Sequence, residues 1–413
     1  LQNNRQRVAI TGLGIVSCLG LNCREVTDSL AAGRCGIKLL PERKTLGFQS
    51  GLSGVIEGFD QSRYLDRKKR KSMPEFAIWA WAAIAEALEQ AGVPPESLHG
   101  DEGTGMIFGN DSSTVTAVEQ VETLRASGET RSIGSGHIFR LLNSTVTLNI
   151  STTLGLRGQV WTVSAACASG ALAIGQGAEE IAAGRQLRML CGGAQEISWQ
   201  SMCSFDTLSA FSRRENDPAG ASRPFDSDRD GLVPSGGAAA LVLENYASAE
   251  KRGAAILGEV MGYGSANDGH HIVVPSGDGL ERAIWKAINS ANLSPGDIDL
   301  VLAHATSTPA GDEVEGRILS GIFPPSGATP LVTAPKGLTG HEFWMAGASQ
   351  AVYGLLMAGG GFVTGNRNLQ DPDPSIKSLR LPRQNVYTAC RFLLCNAAGF
   401  GGTNACLVIR NNL

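Results

Sequence analysis

The chain has 413 residues, 42% hydrophobic and 18% charged, with 35 Lys and Arg against 39 Asp and Glu for a formal net charge of -4. Such a composition suits a globular protein with a large core and provides no global field for nucleic acid. The longest apolar stretches, such as 351–363, fall short of a bilayer span, and the polar, basic residues 1–7 have no apolar secretory region, so a cytoplasmic protein without membrane contact is expected.

In chain order, residues 8–16 read as a buried strand holding Gly12 and Gly14, a lone Gly-x-Gly without the rest of a dinucleotide fingerprint. Residues 75–91 have helical periodicity and stop at Gly92, with Pro94 and Pro95 beyond. Strand-like runs recur at 105–109, 159–163, 189–193, 238–243 and 300–304, with helix-like runs between them. This alternation predicts α/β layering with much parallel sheet. Segment 87–98 resembles 287–298: Ala87, Ala91 and Pro95 recur as Ala287, Ala291 and Pro295. Two halves built alike are therefore expected, residues 1–253 and 254–413.

Nine cysteines include no CxxC pair, and the Cys and His positions lack zinc-like spacing, so no metal is expected. Cys18, Cys23, Cys35, Cys191, Cys203, Cys390, Cys395 and Cys406 read as small buried hydrophobes. Cys167 differs. It follows the apolar run 160–163 and precedes the helix-like stretch 168–183, at a strand-to-helix turn where free N–H groups and the helix dipole favour a thiolate. Read alone, a nucleophile and a buried cysteine in a tight turn stand level. Two further segments bear on it. His304 leaves a strand in 304–312, and His341 ends the loop 336–341. A third, glycine-rich loop at 396–404 has backbone N–H groups to offer a reacting carbonyl.

Together these motifs, with 8–14, Ser164-Ala165-Ala166-Cys167, Arg223-Pro224-Phe225-Asp226 and Asp228-Arg229-Asp230-Gly231, occur in the order of the β-ketoacyl-ACP synthases. The chain resembles that family of the thiolase superfamily over essentially its whole length. Residues 198–212 and Pro275-Ser276-Gly277 lean toward the type I elongating enzymes. The resemblance implies a five-layer αβαβα fold of two halves with mixed five-stranded sheets, and a dimer. It implies that Cys167 accepts an acyl group from acyl carrier protein, while His304 and His341 assist decarboxylation of malonyl-ACP. Backbone N–H groups of Cys167 and Phe400 would form an oxyanion hole. Lys336 and Glu315 would support the histidines, and Thr306 and Thr308 would hold the pantetheine arm. Met202, Cys203, Phe205 and Phe400 would line the acyl pocket. No cofactor is implied beyond the carrier's phosphopantetheine.

Arg63, Arg67, Lys68 and Lys71 belong to the densest basic cluster in the chain. By composition it is a solvated helix start. By the resemblance it is a footprint for an acidic carrier protein; it lacks the interleaved aromatics of a nucleic-acid site.

Three departures from the family pattern bear on the substrate: Glu342-Phe343-Trp344-Met345 after His341, Ala305 after His304, and Ala397-Ala398 before Gly399. They suggest a specialised fatty-acid or polyketide chain, such as an unsaturated or aryl-capped polyene, and a chain-length-factor-like partner as the alternative to a homodimer. Two other readings stay in view. A CoA-dependent thiolase or acyltransferase would need a second reactive cysteine where one histidine stands. A non-catalytic chain-length factor would lack Cys167.

Overall fold

The computed structural model describes residues 5–323, 329–376 and 378–413; the first four residues of the basic start lie outside the described residues. The run at 8–16 forms β1 (Val8–Val16), buried at all nine positions as a strand covered on both faces must be. It is followed in the same half by β2 (Thr104–Gly109), β3 (Val160–Val163), β4 (Arg188–Gln195) and β5 (Gly237–Asn245). The second half contributes β6 (Gly258–Asn267), β7 (Leu300–Leu302), β8 (Leu331–Thr333), β9 (Phe392–Gly399) and β10 (Thr403–Asn411).

These strands lie in the order β8-β7-β9-β10-β6-β1-β5-β4-β2-β3. Among the described residues, the strands of the two groups of five pair only through a short antiparallel contact of Ala9 with Glu259 and Ile10 with Gly258. Within each group the order is the same once five is added to every label. The directions also agree: β2 runs parallel to β3 and β4, as β7 does to β8 and β9, and the remaining pairings are antiparallel. The mixed five-stranded sheets and the likeness of the halves are both present.

Helix α1 (Glu75–Ala91) covers the outer face of the first sheet and ends at Gly92, whose φ of 65° makes the left-handed cap. Helices α2 (Ser169–Ala182) and α5 (Ala346–Gly359) pack on each other between the sheets, and α3 (Asp278–Ser290) with α4 (Pro309–Ile322) covers the far face. The result is five layers with an apolar core at each outer interface and a larger one in the middle. The repeat noted in the sequence falls on α1 and α3, which occupy equivalent places in the two halves.

Gly12 and Gly14 are explained by that packing. A Cβ on either would lie 1.9 Å from the Ala87 carbonyl oxygen or 1.8 Å from that of Ala83. Gly262 and Gly264 on β6 meet Ala287 and Ala283 of α3 in the same way, each at 2.1 Å. The Gly-x-Gly thus lets a helix lie flat on a strand in each half, and an added methyl there costs ~1–3 kcal/mol or more as overpacking.

Candidate active site

The two central helices meet near their N-termini. A Cβ on Gly170 would approach the Ala348 nitrogen to 2.9 Å, and one on Gly347 the Ala171 nitrogen to 2.5 Å. This close approach brings together the segments preceding the two helices, Cys167 before α2 and His341 before α5. Cys167 lies in the tight turn Ala166–Ala168, where Ala166 adopts a φ of 47°. A non-glycine residue in this region costs of order 1–3 kcal/mol, and surrounding bonds hold it there. The Ser169 hydroxyl accepts from the Ala165 N–H at 2.9 Å and donates to the Ala166 carbonyl at 2.6 Å. Ser164 donates to Asp111 on the loop after β2.

The helix-terminus argument anticipates a thiolate, but the structure buries Cys167 to 5% exposure. Burial pushes its thiol up to about 12, with the charge on Lys336 pulling the other way. The resting nucleophile is a neutral thiol. Its partner is His341, whose Nε2 stands 3.0 Å from Cys167 Sγ. The His304 ring lies edge-on to His341, with centroids 5.2 Å apart. Burial, reinforced by Lys336, holds both imidazoles well below their usual range, so both are neutral at pH 7. Each Nδ1 is buried without a hydrogen-bond partner among the described residues. An orphaned N–H costs more than an orphaned lone pair, which favours the tautomers that carry the proton on Nε2.

β7 ends at Leu302, so His304 belongs to the turn beyond the strand and not to its last position. Glu315 on α4 fixes that turn, accepting from the His304 N–H at 2.8 Å, the Ala305 N–H at 2.7 Å and the Asn396 amide at 3.0 Å. Lys336 donates to Gln350 Oε1 at 3.0 Å. It meets Glu315 through the electric field and not through a shared bond. Burial brings the Lys336 ammonium down to about 8, resisted by Glu315 and Glu342. Gln350, in turn, donates to the Leu302, Ala303 and Asn396 carbonyls.

Gln350 and Asn396 were not singled out in the sequence, although Gln350 is legible as a polar residue inside an apolar helix. Asp312 was also passed over. It accepts from the N–H groups of Ser307 and Phe225, tying the segment 223–231 to the His304 loop. Two residues beyond that segment, the Val233 carbonyl accepts from the His341 N–H at 2.7 Å and braces the other histidine.

Met202, Phe211, Phe343 and Trp344 cluster with Cys167, and Phe205 packs against them. Phe205 also stacks on Phe400 at 5.9 Å. Cys203, expected among these residues, is exposed on another face of its helix and is neither a buried hydrophobe nor part of the cluster. Cys18, Cys23 and Cys35 are only partly buried. The Phe400 loop comes close to the nucleophile: a Cβ on Gly399 would lie 3.2 Å from the Cys167 nitrogen. Thr306 and Thr308 face each other, with hydroxyls 3.1 Å apart. Glu342 lies 1% exposed and accepts from Ser349 at 2.5 Å and Tyr353 at 2.6 Å on α5. Of the four divergent residues after His341, Phe343 and Trp344 enter the Cys167 cluster. Arg67, Lys68 and Lys71 line a surface groove with Arg70 and Arg140, whereas Arg63 sits 3.7 Å from Asp60 outside its lining.

A buried thiol between two facing helices, with two neutral imidazoles beside it on a doubled αβαβα frame, defines a carbon–carbon bond-forming acyltransferase of the thiolase-like fold. The chain belongs to the β-ketoacyl synthase family: the N-terminal domain of β-ketoacyl synthases matches residues 5–249 and the C-terminal domain matches 257–370. It is 34% identical over 410 residues to 3-oxoacyl-[acyl-carrier-protein] synthase 1 of Haemophilus influenzae, covering 98% of this chain and 99% of that one. Among solved structures, a β-ketoacyl synthase from Burkholderia phymatum superposes with a TM-score of 0.93 at 34% identity, covering 99% of this chain and all of that one. The ishigamide ketosynthase/chain length factor superposes with a TM-score of 0.91 at 29% identity, over 99% and 100%.

Proposed function

We propose that the protein catalyses a decarboxylative Claisen condensation of malonyl-ACP with an acyl group held as a thioester on Cys167, giving a β-ketoacyl-ACP. The observation that carries this reading is the 3.0 Å approach of His341 Nε2 to Cys167 Sγ, with the neutral His304 ring beside it. In the first half-reaction Sγ attacks the incoming thioester with His341 Nε2–H donating to the sulfur as it gives up its proton, and the carrier's thiol leaves with that proton. In the second, malonyl-ACP loses carbon dioxide. Neutral imidazoles that hold their proton on Nε2 can donate to the developing enolate oxygen from both sides, which stabilises the transition state more than the ground state. The enolate carbon then attacks the Cys167 thioester and expels the sulfur as a thiolate, which takes up one proton from water to restore the resting thiol.

In this reading the N–H groups of Cys167 and Phe400 hold the oxyanion of each tetrahedral intermediate, a role supported by the close seating of Gly399 on the Cys167 nitrogen. Lys336 and Glu315 hold the histidine loops and set their field. Thr306 and Thr308 serve the pantetheine arm, and Met202, Phe205 and Phe400 line the acyl pocket. The basic groove of Arg67, Lys68 and Lys71, with Arg140 added, suits an acidic carrier protein. Arg63 is a weaker member, with Asp60 beside it. We read the chain as dividing at 253/254 and working in the cytoplasm as a dimer. Likeness to the ishigamide ketosynthase/chain length factor supports a heterodimer as the alternative to a homodimer. Phe343 and Trp344 support a specialised acyl chain over an ordinary saturated one.

Cys167→Gln tests the chemistry. Malonyl-ACP decarboxylation should continue in this variant while condensation stops, because the enolate is formed without the thiol. Loss of both activities in folded protein would point to a thiolase or simple acyltransferase instead.

A further inference from the structure

An acyl group on Cys167 must be housed in apolar space, and Trp344 belongs to the apolar cluster around the sulfur. This residue is 7% exposed, its ring centroid lying 5.6 Å from that of Phe343 and 6.3 Å from that of Phe205. Its backbone cannot retreat. A Cβ on Gly193 would fall 2.8 Å from the Trp344 carbonyl oxygen and one on Gly170 3.1 Å from it, so sheet and helix press on this turn from behind. The ring is held as well: its Nε1–H donates to Ser112 Oγ at 3.2 Å. Ser112 follows Asp111, the residue that anchors Ser164 of the nucleophile turn. One loop therefore fixes the position of the sulfur and the orientation of the indole.

We propose that Trp344, latched by Ser112, closes the inner end of the acyl pocket and sets the longest acyl group that Cys167 can carry. This deepens the condensation reading and rests on it. The limit is steric and applies to saturated and unsaturated chains alike. A chain that outgrows the pocket must break the indole–hydroxyl bond and turn the ring, since the backbone behind it has no room. Trp344 is on this view a specificity-determining residue that takes no part in bond making.

The test uses the purified full chain with malonyl-ACP and a series of acyl-ACP primers of increasing length, reading β-ketoacyl-ACP by mass spectrometry. One methylene too many in a closed apolar pocket changes kcat/KM by ~10–200-fold, so a break of that size is expected between consecutive lengths. Trp344→Ala should move the break to longer primers. Ser112→Ala, which leaves the ring in place and removes only the latch, should flatten it. Ser112→Ala decides the matter alone if Trp344→Ala fails to fold. A break at the wild-type length in both variants, or no break in the wild type, overturns the proposal. Failure of the wild type to condense any primer is a different result, and removes the condensation reading itself.

Discussion

His341 Nε2 lies 3.0 Å from Cys167 Sγ, a contact made by two residues 174 positions apart, each just ahead of one of the two central helices. The first prediction concerns the two rings. If both imidazoles donate to the enolate, replacing either by alanine should lower malonyl-ACP decarboxylation by ~10²–10³, the usual cost of losing one preorganised donor. His341→Ala should also slow acylation of Cys167, because it removes the ring that donates to the sulfur as the thiol loses its proton. His304→Ala should leave acylation less affected. Single-turnover acylation, followed by the mass of the acyl-enzyme, separates the two.

Gly399 supplies the second prediction. With a Cβ there 2.9 Å from the Ala165 carbonyl oxygen and 3.2 Å from the Cys167 nitrogen, Gly399→Ala must push the Phe400 loop away from the nucleophile. Displacing one oxyanion donor should cost ~10²–10³ in kcat. The change lies at the edge of the core, so the melting temperature should fall only a few degrees. A variant that retains wild-type kcat would remove Phe400 from the oxyanion hole.

The layers were legible because strand and helix patterns alternate along the chain, and because the Ala87 and Ala287 segments repeat at equivalent places in the two halves. The position of Cys167 was legible too, but its protonation state was not. The helix N-terminus favours a thiolate, yet the turn also buries the sulfur, and burial is a property of residues distant in sequence such as Phe343 and Trp344. Glu342 was misleading for a related reason. With its three neighbours it stands, in the sequence, among the departures that bear on the substrate. Phe343 takes a φ of 41°, and Glu342 is bonded to Ser349 and Tyr353 of α5 while the aromatic side chains beside it join the cysteine. Facing is set by backbone torsion, which a list of neighbours does not contain.

Lys336 should set an alkaline limit on activity. Burial brings its ammonium to about 8 from an ordinary 10.5, so it is largely charged at pH 7 and loses its proton as pH passes about 8. Its charge favours the anions that form at Cys167 and at the enolate oxygen. Decarboxylation should therefore fall as pH rises through about 8. Lys336→Met should be slower at pH 7 and lack that alkaline limb, and Lys336→Arg should move the limb upward. The readout is carbon dioxide release across pH 6.5 to about 9, a window set by the lowered Lys336 value.

The basic groove should be visible in KM and not in kcat. Reversing Arg67 and Lys71 to glutamate should raise KM for carrier-bound substrates, with an effect that shrinks in high salt because the pairs are exposed. Turnover of acyl and malonyl thioesters of small thiols, which do not touch the groove, should stay as it is. Equal loss on both substrate types would place the damage in the fold and dismiss the docking surface.

Glu342 provides a prediction about stability in place of rate. Burial raises its carboxyl to about 7 from an ordinary 4.5, against the bonds from Ser349 and Tyr353 and the charge of Lys336. The unfolded chain releases this proton near 4.5, whereas the folded protein keeps it until about 7. Between those values the folded state binds more protons, so this group's contribution to stability declines as pH rises through the window and is flat above it. Glu342→Gln cannot titrate and retains one acceptor for the two hydroxyls. It should be less stable than the wild type at pH 5, where the protonated glutamic acid fits the site, and the gap should narrow or reverse by pH 7.5. Thermal unfolding at the two pH values measures this. A gap that stays constant would mean that Glu342 enters the folded protein already ionised, with its hydrogen bonds and Lys336 fully offsetting the cost of burial.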